Sequence, residues 1–134
     1  MLNVFPDLLA FGLISPLILR VTLGVIFVDF GWKKLFRDRV AKGAFFEMLH
    51  LTPGTSYAVA MGLLELVVGL LLIGGLLTQI AALITLLISA TSYYLKGKYS
   101  ESLKNTRLFY FLLVTISLSL LFSGAGFFAF DLPL

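Results

Sequence analysis

The sequence predicts an all-α integral membrane protein: a four-helix up-down bundle with a short interfacial helix between spans one and two. Three observations predict it. Mean hydropathy is +1.05 over 134 residues, and only 13% of residues are charged, against roughly 25% in soluble chains. Four stretches approach the roughly 20 apolar residues that a helix needs to cross a bilayer. Nine of the ten Lys and Arg residues fall in or beside two short segments. A soluble domain of this length would lack the polar residues to cover its surface, so a single membrane domain over residues 1–134 is expected.

The first span is predicted over about Pro16 to Leu35, with Ser15 and Pro16 as cap and first-turn pair. An earlier start at Asp7 would leave Pro16 to kink the helix. The start of the chain has no basic n-region and no small-residue cleavage pattern, so this helix is expected to be retained.

From Tyr57 to Leu95 the chain is almost uninterruptedly apolar, and a single helix there would reach roughly 58 Å, too long for a bilayer. Gly74 and Gly75 mark a turn that divides it into spans of about 56–73 and 76–95. The last span is predicted over about 107–127, loosened at its end by Gly124 and Gly126. Between Arg37 and Leu51, Val40, Ala44, Phe45, Met48 and Leu51 recur near helical spacing opposite Arg39, Glu47 and His50, the pattern of a helix lying in the interface. It either holds lipid headgroups or serves a partner or lid role.

Lys33, Lys34, Arg37, Arg39 and Lys42 lie between spans one and two, and Lys96, Lys98, Lys104 and Arg107 between spans three and four. The positive-inside bias then places both basic segments in the cytoplasm and both termini outside, in the cell (plasma) membrane. Trp32, Tyr57, Tyr93, Tyr94 and Tyr110 are expected as interfacial anchors at the cytoplasmic span ends. This distribution of charge is a topology signal, and no nucleic-acid partner is expected.

Cysteine is absent and His50 is the single histidine. Disulfides, thiolate chemistry, haem and metal sites are therefore not expected. No Walker loop, strand-borne GxGxxG or GxSxG elbow occurs, which argues against phosphoryl-transfer, nicotinamide and acyl-transfer chemistry within the chain.

Two charges fall well inside predicted spans, Arg20 and Glu65. A charge at that depth costs about 2.5 kcal/mol or more unless it is paired or wetted. The expectation is a buried Arg20–Glu65 pair, which locks helix to helix or forms a polar site for binding and proton transfer. Ala58, Gly62, Glu65 and Gly69 share one stripe, and Arg20, Gly24, Phe27, Gly31 and Lys34 another; their small residues permit close helix packing or self-association as a homo-oligomer. Asp29 is expected to pair locally with Lys33. Thr85, Ser89 and Ser92, with Thr115, Ser117, Ser119 and Ser123, can satisfy backbone groups or each other across two spans.

The segments LILRVTLGVIFVDFGWKKLF, GLLELVVGLLLIGGLLTQIAALI and GAGFFAFD resemble the DoxX family along nearly the whole chain. The matching positions are Arg20, Gly24, Gly31, Lys34 and Phe36, then Glu65, Gly69 and Gly74, then Thr78 and Ala82, and finally Gly124, Gly126 and Asp131. The resemblance implies a four-helix membrane bundle related to the membrane subunit of thiosulfate:quinone oxidoreductase and to proteins grouped with oxidative stress. Where the family often has His before the glycine that ends the first helix, this chain has Phe30, so that position carries no proton here.

The function expected from the resemblance and the buried charges is a quinone-interacting oxidoreductase subunit. Arg20 and Glu65 are its candidate catalytic residues, and Arg20, Glu65 and Lys34 its candidate quinone-binding groups. Electrons would come from a soluble or membrane redox partner, or from a diffusing donor such as thiosulfate. The alternative is a non-catalytic scaffold or assembly factor that recruits a soluble partner through the basic loops. Transport fits four helices poorly.

Overall fold

A helix surrounded by lipid needs no amphipathic stripe, and the long segments of this chain are apolar on every side. In the computed structural model, which describes residues 6–99 and 103–126, they form α-helices. A short 3-10 helix, Pro6–Phe11, precedes α1 (Ile14–Trp32), which runs into a π-helical turn, Lys33–Arg37; α2 (Arg39–Met48), α3 (Gly54–Gly74), α4 (Thr78–Lys98) and α5 (Arg107–Ser123) follow.

The chain breaks between Phe11 and Ile14, and Pro16 sits in the first turn of α1, where its missing N–H leaves no hydrogen bond unmade. Ser15 is inside the helix and Leu13 is the cap, so the expected Ser15 cap is corrected by two residues. The turn after α3 is where the glycine pair places it: Gly75 has φ 68°, the left-handed geometry that closes a helix. Thr106 caps α5 by accepting from the Phe109 N–H.

Helices α1, α3 and α4 are long and apolar enough to cross a membrane. The apolar α5 is shorter than the predicted 107–127: it ends at Ser123, where Gly124 takes φ 75°. Phe127 and Asp131 lie outside the described residues.

Two antiparallel pairs build the protein. In the first, Gly24 of α1 faces Gly69 of α3, and Gly31 faces Gly62. A Cβ added to Gly24 would lie 2.7 Å from the Gly69 carbonyl oxygen, and one on Gly31 would lie 2.5 Å from that of Gly62. Here backbone meets backbone. The small-residue stripes read from sequence are thus engaged within the chain. In the second pair, Thr85 Oγ1 of α4 donates to Ser117 Oγ of α5 at 3.0 Å, as the hydroxyls of these helices led one to expect. Helix α2 folds back on the start of α3, where a Cβ on Gly54 would run into the Gly43 carbonyl. Between the two pairs, α3 meets α4 and α1 meets α5 through far fewer residues.

The distribution of side chains is inverted relative to a soluble protein. Arg20, Glu65, Thr78, Thr85, Ser89 and Ser117 are buried, while Leu63, Val67, Leu70, Ile80, Leu87 and Phe122 are exposed. Such outward apolar faces are what lipid solvates and water does not. Trp32, Tyr57 and Tyr94 are exposed. Tyr110 is not: it is buried among the core residues, facing inward.

Candidate functional site

The antiparallel register fixes which charges can meet. Gly69 faces Gly24, so Glu65, four residues earlier on α3, stands level with Val28, four residues later on α1. That level is six residues from Lys34 and eight from Arg20. Direction then decides. Helical side chains lean toward their own N-terminus. Lys34 therefore leans toward the level of Glu65, Glu65 leans toward Lys34, and Arg20 leans away from both.

Accordingly, Lys34 Nζ donates to Glu65 Oε1 at 2.5 Å, with the two side chains 17% and 2% exposed. Arg20 Nη1 donates instead to the carbonyl oxygen of Ala125, just beyond α5, at 2.8 Å. The expected Arg20–Glu65 pair is thus corrected to Lys34–Glu65. Two of the three sequence-designated site residues, Glu65 and Lys34, are brought together, and Arg20 sits toward the opposite end of α1. The Asp29–Lys33 pair forms as expected, at 2.6 Å.

Lys34 belongs to the π-helical turn, whose wide Asp38 N–H to Lys33 carbonyl bond spans five residues. Such turns are rare and recur at functional sites. The second carboxylate oxygen, Glu65 Oε2, is buried and has no hydrogen-bond partner among the described residues; Ser89 Oγ nearby is in the same state. Both residues line a cavity of about 530 Å³, a size within the range of small-molecule sites.

The cavity lies in the loose seam between the helix pairs, on the side of the basic segments. Phe27, Phe30, Ile88, Phe109 and Leu113 supply apolar walls, and Lys34, Lys42, Glu65 and Ser89 the polar face. Tyr110 and Asn105 line it from the α5 side, with Asp38 and Lys104. The last two approach to 3.6 Å and join the two basic segments. Phe30 and Phe109 meet edge to face across α1 and α5, with centroids 5.9 Å apart. Arg20 lines neither this cavity nor the second one described below.

Sequence reading missed Lys42, Tyr110, Asn105 and Ser89 as parts of one site. For Tyr110 a signal existed: Tyr110, Leu113, Ser117 and Leu120 recur on one helical face, and all four are buried. Read with Ser117, that face points inward.

Lys42 reaches the site from α2. Burial, and after it the charge of Lys34, lowers its pKa below the ordinary 10.5, against the opposing pull of Asp38 and Glu65. Between the lowered folded value and 10.5 the unfolded chain binds more protons than the folded one, so stability rises with pH across that window. In Lys42→Met this rise is expected to disappear from stability measured against pH in detergent. An unchanged slope would show that Lys42 is solvated.

The Lys34–Glu65 constellation sits in a segment that comparison assigns. A model of the DoxX family matches residues 15–95. The chain belongs to the DoxX family. No curated protein and no solved structure matches it. The DoxX match contains Arg20, Lys34, Lys42, Glu65 and Ser89, whereas the wall supplied by Asn105, Phe109, Tyr110 and Leu113 falls outside it. In this DoxX protein the charged face of the cavity is therefore family sequence, and the facing wall lies beyond the matched segment.

Proposed function

We propose that this DoxX protein is an oxidoreductase subunit of the cell membrane that holds a quinone in the cavity at Lys34 and Glu65. Four crossings in an up-down bundle, α2 in the cytoplasmic interface and both termini outside complete this reading. The observation that carries it is the Lys34–Glu65 pair, one of whose carboxylate oxygens is buried without a partner among the described residues, beside a cavity walled by Phe27, Phe30 and Phe109.

A quinone ring is flat, apolar on its faces and polar at two oxygens. Aromatic walls suit the faces, and Lys34 or Lys42 can donate to an oxygen. Reduction of a bound quinone would add two electrons and two protons, and in this reading Glu65 would pass protons at the site where Lys34 would hold a quinone oxygen. The electrons come from a redox partner or a diffusing donor. Arg20, a candidate from sequence, has no part in this site and holds the end of α5 instead.

Extraction in mild detergent followed by organic extraction of the purified protein is expected to yield bound quinone, and much less from Lys34→Met. Equal and negligible quinone in both would overturn the reading.

One observation favours the scaffold alternative. Arg37, Arg39, Lys98, Lys104 and Arg107 are exposed, and the Lys104–Asp38 contact draws their two segments together, a surface suited to an acidic soluble partner. A co-purifying protein that washes off at high salt would support it.

A further inference from the structure

A second cavity, of about 380 Å³, lies beneath α2, between it and α3 and α4. It shares Lys34, Lys42, Ile88, Ser92 and Leu103 with the first cavity, so the two adjoin at the lysine pair. Its character is different. Phe45, Phe46, Leu49, Met61 and Leu95 line it. The two hydroxyls present are already committed: Thr91 Oγ1 donates to the Leu87 carbonyl at 2.8 Å and Ser92 Oγ to that of Ile88 at 2.9 Å.

Away from the lysines, this second space therefore offers a ligand mainly apolar contact and no free hydroxyl donor. It also reaches the lipid-facing side, because Leu87, which lines it, is 60% exposed on α4.

We infer that the second cavity is the tail subsite of the same ligand. The ligand is a membrane-dissolved amphiphile whose polar ring lies against Lys34 and Glu65 and whose hydrocarbon chain passes the lysine pair into the space under α2. It enters sideways from the bilayer between α3 and α4, ring first. This rests on the quinone reading above. It adds that the substrate class is a long-chain, lipid-soluble quinone, and that a water-soluble ring without a chain leaves the second cavity unfilled. Apolar length matched to an apolar passage gives the selectivity, and the lysine pair sets where the head stops.

Two photoreactive probes test this on the full chain in lipid nanodiscs. One is a benzoquinone with a decyl chain that carries a diazirine at its free end; the other carries the diazirine on the ring. The chain-end probe is expected to label Phe46, Leu49, Met61 or Leu95, in competition with the same quinone lacking a diazirine. Met61→Trp and, separately, Leu95→Trp fill the space and are expected to lower that labelling about fivefold while ring labelling persists, since a packed interior leaves no alternative room.

Chain-end adducts confined to outward residues such as Leu63 and Leu70, or labelling that competitor does not reduce, would overturn the tail subsite. The latter result would mean that a bulk lipid chain fills the space. If ring labelling of the first cavity survives either result, the quinone site stands without the tail. If neither probe labels a cavity residue, both fall.

Discussion

Truncating Glu65 to alanine is expected to destabilise the protein in detergent by roughly 3–5 kcal/mol, the penalty for stranding one charge of a buried pair. Lys34, only 17% exposed on its side chain, is the charge left behind. Changing both residues to apolar ones of similar volume, Lys34→Met with Glu65→Leu, removes both charges and is expected to bring stability back toward the wild type. The comparison needs only unfolding curves in one detergent. A double variant less stable than Glu65→Ala would show that the pair is not a desolvated unit. Arg20→Met with Glu65→Ala is expected to give no such recovery, because Arg20 hydrogen-bonds elsewhere.

The second large effect concerns one chemical change at two positions. Gly31→Ala is expected to destabilise by about 1–3 kcal/mol, because the new methyl would sit 2.5 Å from the Gly62 carbonyl oxygen and 2.7 Å from the Leu66 nitrogen. Both are backbone atoms, so α1 and α3 must separate to admit it. Gly74→Ala meets nothing within 4 Å, and its effect should stay within about 0.5 kcal/mol, as for substitutions away from close contacts. Alanine is the better helix former at both positions. If Gly31→Ala were neutral or stabilising in thermal unfolding, the backbone contact between the helices would not be the one described.

These predictions rest on features of unequal legibility. Hydropathy alone located α1, α3 and α4, because lipid imposes the same apolar requirement on every face and length becomes the signal. The turn at Gly75 was legible because a left-handed residue ending a helix is most often glycine. Helix α2 was legible at Arg39–Met48, inside the predicted 37–51, from its spacing.

The partner of Glu65 was not legible. Read as one helix, Arg20 and Lys34 share a stripe, fourteen positions apart and nearly in phase at 3.6 residues per turn. Either could face α3. The choice depends on the register of two helices and on the direction in which side chains lean. The glycines carry that information only once they are known to face one another. Tyr110 was misread for a related reason: an aromatic near a span end suits the interface by composition, yet its neighbours on the helix face, Leu113 and Ser117, turn it inward.

The unequal contacts among the four long helices also say how this architecture can change. Each pair is closed by groups tolerant of little alteration, backbone against backbone in one and hydroxyl against hydroxyl in the other. The cavity at Lys34 and Glu65 belongs to neither pair. Mutations at Phe30, Ile88 or Phe109 can reshape that space while leaving both closures untouched, so foldability and cavity shape are inherited on separate residues. A lineage built on this plan can remould its cavity without first rebuilding its helix closures.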